Sequence, residues 1–148
     1  MPESIHAPAP LRGPWVLLVE PVPMLRSTMT KFLQRSGYHV TACSDAAAAE
    51  TLITGGAVRP ALIVLGVRVL DRDAAAEAHR LRDAAPATPM LGVADRVDDA
   101  GEGLALPHHL RFLAHPFDMP DVLRAIRSSL RQSGAVPRHS GAEAAIGS

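Results

Sequence analysis

Ala61-Leu62-Ile63-Val64-Leu65, followed by Gly66-Val67, decides the fold. A continuous apolar run with no polar alternation fits a strand buried on both faces, as in a parallel sheet. Gly66 reads as part of the turn that follows it. Trp15-Val16-Leu17-Leu18-Val19 and Met90-Leu91-Gly92-Val93 have the same character. Tyr38-His39-Val40-Thr41-Ala42 and Leu110-Arg111-Phe112-Leu113-Ala114 are more mixed, as edge strands are.

Helical patterns fall between these runs. Leu25, Met29, Phe32 and Leu33 recur at helical spacing, and Ser36-Gly37 supplies a stop. Asp45 is placed to cap a helix over Ala46 to Thr54, which ends at Gly55-Gly56. A third helix is expected from Ala74 to Asp83, before Pro86. A weaker fourth falls within Val97 to Leu106, loosened by Gly101 and Gly103. Val122, Leu123, Ile126 and Leu130 stripe a fifth, which begins near Asp118 and Pro120. Five strands alternating with five helices imply a doubly wound α/β fold with helices on both faces of one parallel sheet.

The chain has 148 residues, enough for one domain with a real core. Residues 1–13, with Pro2, Pro8 and Pro10, read as a flexible arm. The domain is expected over 14–132, and the Gly-, Ala- and Ser-rich stretch 133–148 reads as a disordered tail. Fifteen basic and 15 acidic residues give a formal net charge of zero, which argues against a nucleic-acid-binding surface. No helix-turn-helix pattern follows the core. No apolar run approaches the roughly 18 residues of a membrane span, and the first residues lack a signal core. The single cysteine, Cys43, has no internal disulfide partner. A cytoplasmic location is therefore expected, with no membrane contact.

From Trp15 to Leu130 the chain resembles the response-regulator receiver domain of bacterial two-component (phosphorelay) signalling. Val16-Leu17-Leu18-Val19-Glu20-Pro21-Val22-Pro23 is similar to that family's first strand and acidic turn, and Arg26 sits where its first helix often carries a basic residue. His115-Pro116-Phe117 is similar to its Lys-Pro-Phe turn. The resemblance implies a flavodoxin-like sheet in the order 2-1-3-4-5, with the functional crevice at the carboxyl ends of the strands. It also implies a cis bond before Pro116.

The resemblance further implies where phosphotransfer groups should stand, and they are missing. The nucleophilic Asp is replaced by Gly66, one of two metal-binding carboxylates by Pro21, the hydroxyl residue by Val93 and the lysine by His115. Glu20 retains one carboxylate on a longer stem. Aspartyl phosphorylation needs a nucleophilic oxygen and hard oxygen ligands for Mg²⁺, and this set supplies too few. The expectation is a degenerate pseudo-receiver with no catalytic residues, no cofactor and no metal site.

Other chemistry-bearing residues carry two readings each. His115 either hydrogen-bonds across the crevice or is a titrating group beside Glu20. Asp71 and Asp73 are expected in the loop after the third strand, with Asp73 near a helix N-cap; the alternative is a displaced metal site with Glu20. His108-His109 reads as exposed loop, because adjacent side chains diverge and no partner lies at metal-ligand spacing. Cys43 reads as a packed residue with no adjoining base. Phe112 falls where the family carries its aromatic switch, and is otherwise ordinary core.

The family's partner surface would here combine Phe112 with Arg111, Arg124, Arg127 and Arg131, together with Asp98, Asp99 and Glu102. The reading is a stand-alone, phosphorylation-independent signalling protein that binds a protein partner such as a histidine kinase or another regulator. It allows a homodimer. The alternative is a small-ligand sensor using room left near Glu20, Val93 and His115.

Overall fold

The computed structural model describes residues 13–97, 104–114 and 116–133. Five strands form one all-parallel sheet: β1 (Trp15–Val19), β2 (His39–Cys43), β3 (Leu62–Leu70), β4 (Met90–Val97) and β5 (Leu110–Ala114). Their order across the sheet is β2-β1-β3-β4-β5, the order that the resemblance implies. Four helices complete the described chain: α1 (Pro23–Arg35), α2 (Ala46–Thr54), α3 (Arg72–Ala84) and α4 (Met119–Ser133).

Local chemistry explains the helix limits. α1 starts with Pro23, whose fixed φ suits a first helical position, and the chain leaves it through Gly37 at φ 101°. The Asp45 carboxylate accepts the Ala48 N–H at 2.7 Å, so α2 has the expected limits. α4 begins with a reciprocal cap, Asp121 N–H to Asp118 Oδ1 at 2.8 Å and Asp118 N–H to Asp121 Oδ2 at 2.9 Å.

The sheet is packed on both faces. Val16, Leu18, Val64, Leu91 and Val93 meet Met29 and Leu33 of α1 and Val122 and Ile126 of α4. On the other face Leu17, Val19, Ile63, Leu65 and Met90 meet Ala46 and Ala49 of α2 and Ala78 and Leu81 of α3. At the sheet edge, Trp15 stacks on its register partner His39 at 4.3 Å and donates to Thr41 Oγ1 at 2.9 Å, which pins β1 to β2.

Two expectations are corrected. Gly66 does not lie in a turn: β3 continues to Leu70 and β4 to Val97, and Gly66 pairs with Val93, Val67 with Ala94 and Val69 with Arg96. Pairing between distant segments carries the strands through a glycine that local sequence marks as a stop. The expected loop after the third strand is consequently absent. Asp71, directly after β3, caps α3 by accepting the Ala74 N–H at 3.0 Å, while Asp73 lies in the first turn. The expected fourth helix falls largely on 98–103, outside the described residues; Val97 is strand, and Leu104 to Leu106 have no regular structure. The arm before Gly13 and the tail beyond Ser133 also lie outside them.

Candidate functional site

Strand register assembles the crevice. Val19 pairs with Leu65 and Gly66 with Val93, so Glu20, Gly66 and Val93 form one row across three strands. By the two-residue alternation of strands, this row faces the α1–α4 layer. Three of the sequence-predicted site residues are therefore brought together, with Pro21 next in the chain. His115, and with it the bond to Pro116, lies outside the described residues.

Glu20 is buried, at 4% exposure. Its Oε2 accepts the Val22 N–H at 3.0 Å, its own N–H donates to the Cys43 carbonyl at 3.0 Å, and its carbonyl accepts from Arg26 Nη1 at 2.8 Å. Arg26 thus fastens the β1–α1 turn through the main chain rather than by pairing with the carboxylate. Burial pushes the Glu20 carboxyl above its ordinary pKa; the Val22 N–H and the more distant Arg68 and Arg26 oppose that shift, and Asp95 adds to it.

The decisive geometry is at Gly66. A Cβ built there would lie 2.0 Å from Glu20 Oε1 and 3.0 Å from its Cδ. The Glu20 carboxylate thus occupies the start of the path a side chain at 66 would take. Val93 is 7% exposed and belongs to the core cluster with Leu91 and Val122. Neither Val93 nor its neighbour Ala94 carries a hydroxyl, and Pro21 offers no carboxylate. The space beside Gly66 on this face is taken by Glu20 Oε1, whereas the third residue expected to border that room, His115, lies outside the described residues. A cleft of about 220 Å³ remains beside Gly66, but it opens among Asp45, Asp71, Asp73 and Glu77. Among the described residues no three of His, Cys, Asp and Glu gather in a way that could hold a metal ion.

Phe112 has a second glycine for a seat. It pairs with Gly92, where a Cβ would meet the ring carbons Cε1, Cδ1 and Cζ at 2.2, 2.4 and 2.4 Å. The ring packs against the cluster of Leu70, Ala74 and Ala94, with Leu104 and Leu106. This is the α2–α3 side of the sheet. Arg111, one residue earlier, points to the other side and donates to Ser128 Oγ of α4 at 3.1 Å. The expected grouping is therefore corrected: Arg111, Arg124, Arg127 and Arg131 line one groove of about 620 Å³ between β5 and α4, without Phe112. Alternation along β5 is the reason. Asp98, Asp99 and Glu102 lie outside the described residues.

The remaining candidates have structural surroundings. His108 and His109 are exposed, and their carbonyls accept from Arg82 Nη2 at 2.8 and 3.4 Å. Arg82 also binds the Ala85 and Thr88 carbonyls, tying the end of α3 to the start of β5. Cys43 is half-buried with its Sγ 3.7 Å from the Asp45 carbonyl, and burial followed by the Asp45 charge pushes the thiol up, away from thiolate. Sequence reasoning missed the Glu20–Gly66 and Gly92–Phe112 pairs, whose partners meet only through strand register.

No protein-family profile matches the chain. A probable transcriptional regulatory protein, TcrX of Mycobacterium tuberculosis (strain ATCC 25618 / H37Rv), is 28% identical over 134 residues, covering 89% of this chain and 56% of that protein. The chain thus spans about half the length of this relative. A CheY-like response-regulator receiver domain protein from Methanospirillum hungatei JF-1 superposes with a TM-score of 0.71 at 14% identity, over 83% of this chain and 98% of that one. A response regulator receiver protein from Sinorhizobium medicae WSM419 gives 0.69 at 21% identity, over 84% and 99%. These likenesses establish the receiver fold. No helix among the described residues is long and apolar enough to cross a membrane.

Proposed function

We propose, starting from that receiver fold, that the chain is a two-component signalling protein that takes no phosphoryl group and acts by protein–protein contact. One observation carries the reading: Glu20 Oε1 lies 2.0 Å from where a side chain at Gly66 would begin. The site has lost its nucleophile, and its surviving carboxylate has moved into the vacated space. A carboxylate held there by the Val22 N–H, with its charge disfavoured by burial, is a poor partner for a metal ion or an incoming phosphate. In this reading the protein is not an enzyme, and it works in the cytoplasm.

The contact surface in this reading is the groove between β5 and α4. Arg127 and Arg131 make no ion pair among the described residues, and the exposed Arg124 is held by Asp121. Cationic groups around a concave surface favour a protein partner with acidic side chains and speed its docking. A histidine kinase or another response regulator is the partner class that the resemblance brings to this chain.

The test is capture of crosslinked partners from native cells, with and without a small phosphodonor. The expected result is a kinase or regulator enriched equally in both samples, and lost when Arg124 and Arg127 are changed to Ala in a folded variant. Enrichment that requires the phosphodonor would contradict the reading.

A further inference from the structure

The chain has no net charge, yet its charge is sorted between two surfaces. The β5–α4 groove carries Arg111, Arg124, Arg127 and Arg131 against one carboxylate, Asp121. The cleft at the carboxyl ends of β1 and β3, beside α2 and α3, carries Asp45, Asp71, Asp73 and Glu77 against one cation, Arg68. Arg68 is already engaged by Asp95 at 3.0 Å. None of the four cleft carboxylates is ion-paired among the described residues. Two of them, Asp45 and Asp71, cap helices, which consumes hydrogen-bonding capacity without cancelling their charge.

We propose that the acidic α2–α3 end of one copy of this chain docks into the arginine groove of a second copy, head to tail. The inference rests on the reading of that groove as a protein-binding surface and names its occupant. The two surfaces are of opposite sign, the arrangement that steers association and fixes orientation. They lie on opposite sides of the sheet, α1 and α4 covering one face and α2 and α3 the other. A molecule can therefore give and receive at once, and the contact is heterologous. A two-fold pairing through the groove would set the same arginines against one another, which disfavours it. Glu77 reports the excess of negative charge: after burial, Asp45, Asp73 and Asp71 raise its pKa and Arg80 only partly opposes them, a repulsion that a further guanidinium relieves.

Sedimentation of the whole chain tests this with two neutralised variants that preserve the helix caps. One carries Arg124→Gln, Arg127→Gln and Arg131→Gln; the other carries Asp45→Asn, Asp73→Asn and Glu77→Gln, and both are checked for wild-type unfolding transitions. The wild type is expected to exceed the 15.6 kDa monomer at low salt and to return to it at high salt, where screening shortens the reach of charge to roughly 3 Å at 1 M. Each variant alone is expected to be monomeric. Mixed, they retain one intact groove and one intact cleft, and so form a 1:1 pair that cannot grow. A monomeric wild type at low salt, a variant that self-associates like wild type, or a mixture that does not pair would each overturn the proposal. A monomeric wild type that still binds a kinase or regulator through the groove would overturn it while leaving the functional reading standing.

Discussion

Gly66 and Gly92 lie on neighbouring strands, and each makes room for a side chain from elsewhere in the sheet, but the two guests obey different physics. At Gly92 the guest is the Phe112 ring, held by contact with Leu70, Ala74 and Ala94. At Gly66 the guest is the Glu20 carboxylate, held by one N–H and opposed by burial. The first is apolar packing indifferent to pH. The second puts an ionisable group against the bare Cα of Gly66, at a stability cost that depends on its proton.

The largest expected effect breaks the apolar seat. Gly92→Ala puts a methyl into three atoms of a rigid ring that packs against Leu70, Ala74 and Ala94, and overpacking of this kind costs about 1–3 kcal/mol. Urea unfolding should show a loss towards the upper part of that range. Phe112→Leu in the same background should recover part of it, as expected of two groups in contact.

Gly66→Ala should cost less. The Glu20 carboxylate is the free end of its chain and can swing to solvent, giving up the Val22 N–H. Loss of a hydrogen bond to a charged group, about 1.5–3 kcal/mol, is offset by the roughly 0.5–1 kcal/mol gained when alanine replaces a strand glycine. Removing the carboxylate from its buried site offsets more, so a net loss of about 1 kcal/mol is expected.

Glu20→Gln sharpens the comparison through pH. A carboxyl whose folded pKa is raised binds its proton more tightly in the folded state, so its contribution to stability grows as pH falls from the raised value towards the ordinary one. Above that window the ionised group weighs against folding. Glutamine keeps an acceptor for the Val22 N–H and removes the charge. The variant should therefore be more stable than wild type at neutral pH, with a flatter pH profile just above the ordinary carboxylate range. Glu77, raised by burial and its acidic neighbours, leaves a residual slope of the same sign.

The smallest effect is expected at the β3–β4 extension. The Arg68–Asp95 pair is 68% and 59% exposed, so Arg68→Ala should change stability by about 0–1 kcal/mol in thermal unfolding, and by less at high salt.

These contrasts mark how far the sequence could be read. The limits of α2 were legible because Asp45 and Gly55-Gly56 act within a few residues of the helix they bound. Strand order was legible only through the family resemblance. The end of β3 was not legible, because Gly66 looks like a stop, whereas Val67, Val69 and Leu70 gain their pairing from Ala94, Arg96 and Val97. At the site, Gly66 and Val93 could be read residue by residue against the positions that the family resemblance implies. The filling of the space at Gly66 could not, since it depends on Glu20 and Gly66 arriving side by side from β1 and β3. The same limit separated Phe112 from the arginines: its side of the sheet follows from pairing with Gly92, not from its neighbours in the chain.

The central claim is that a carboxylate fills the space that phosphotransfer would need. Its most direct measurement is the intact mass of wild type and Gly66→Asp after incubation with Mg²⁺ and acetyl phosphate. Both are expected to stay unmodified: wild type has no carboxylate at 66, and in the variant Glu20 competes for the same space while Pro21 and Val93 still lack the supporting groups. A phosphoryl increment on wild type, discharged by hydroxylamine as an acyl phosphate would be, would contradict the account.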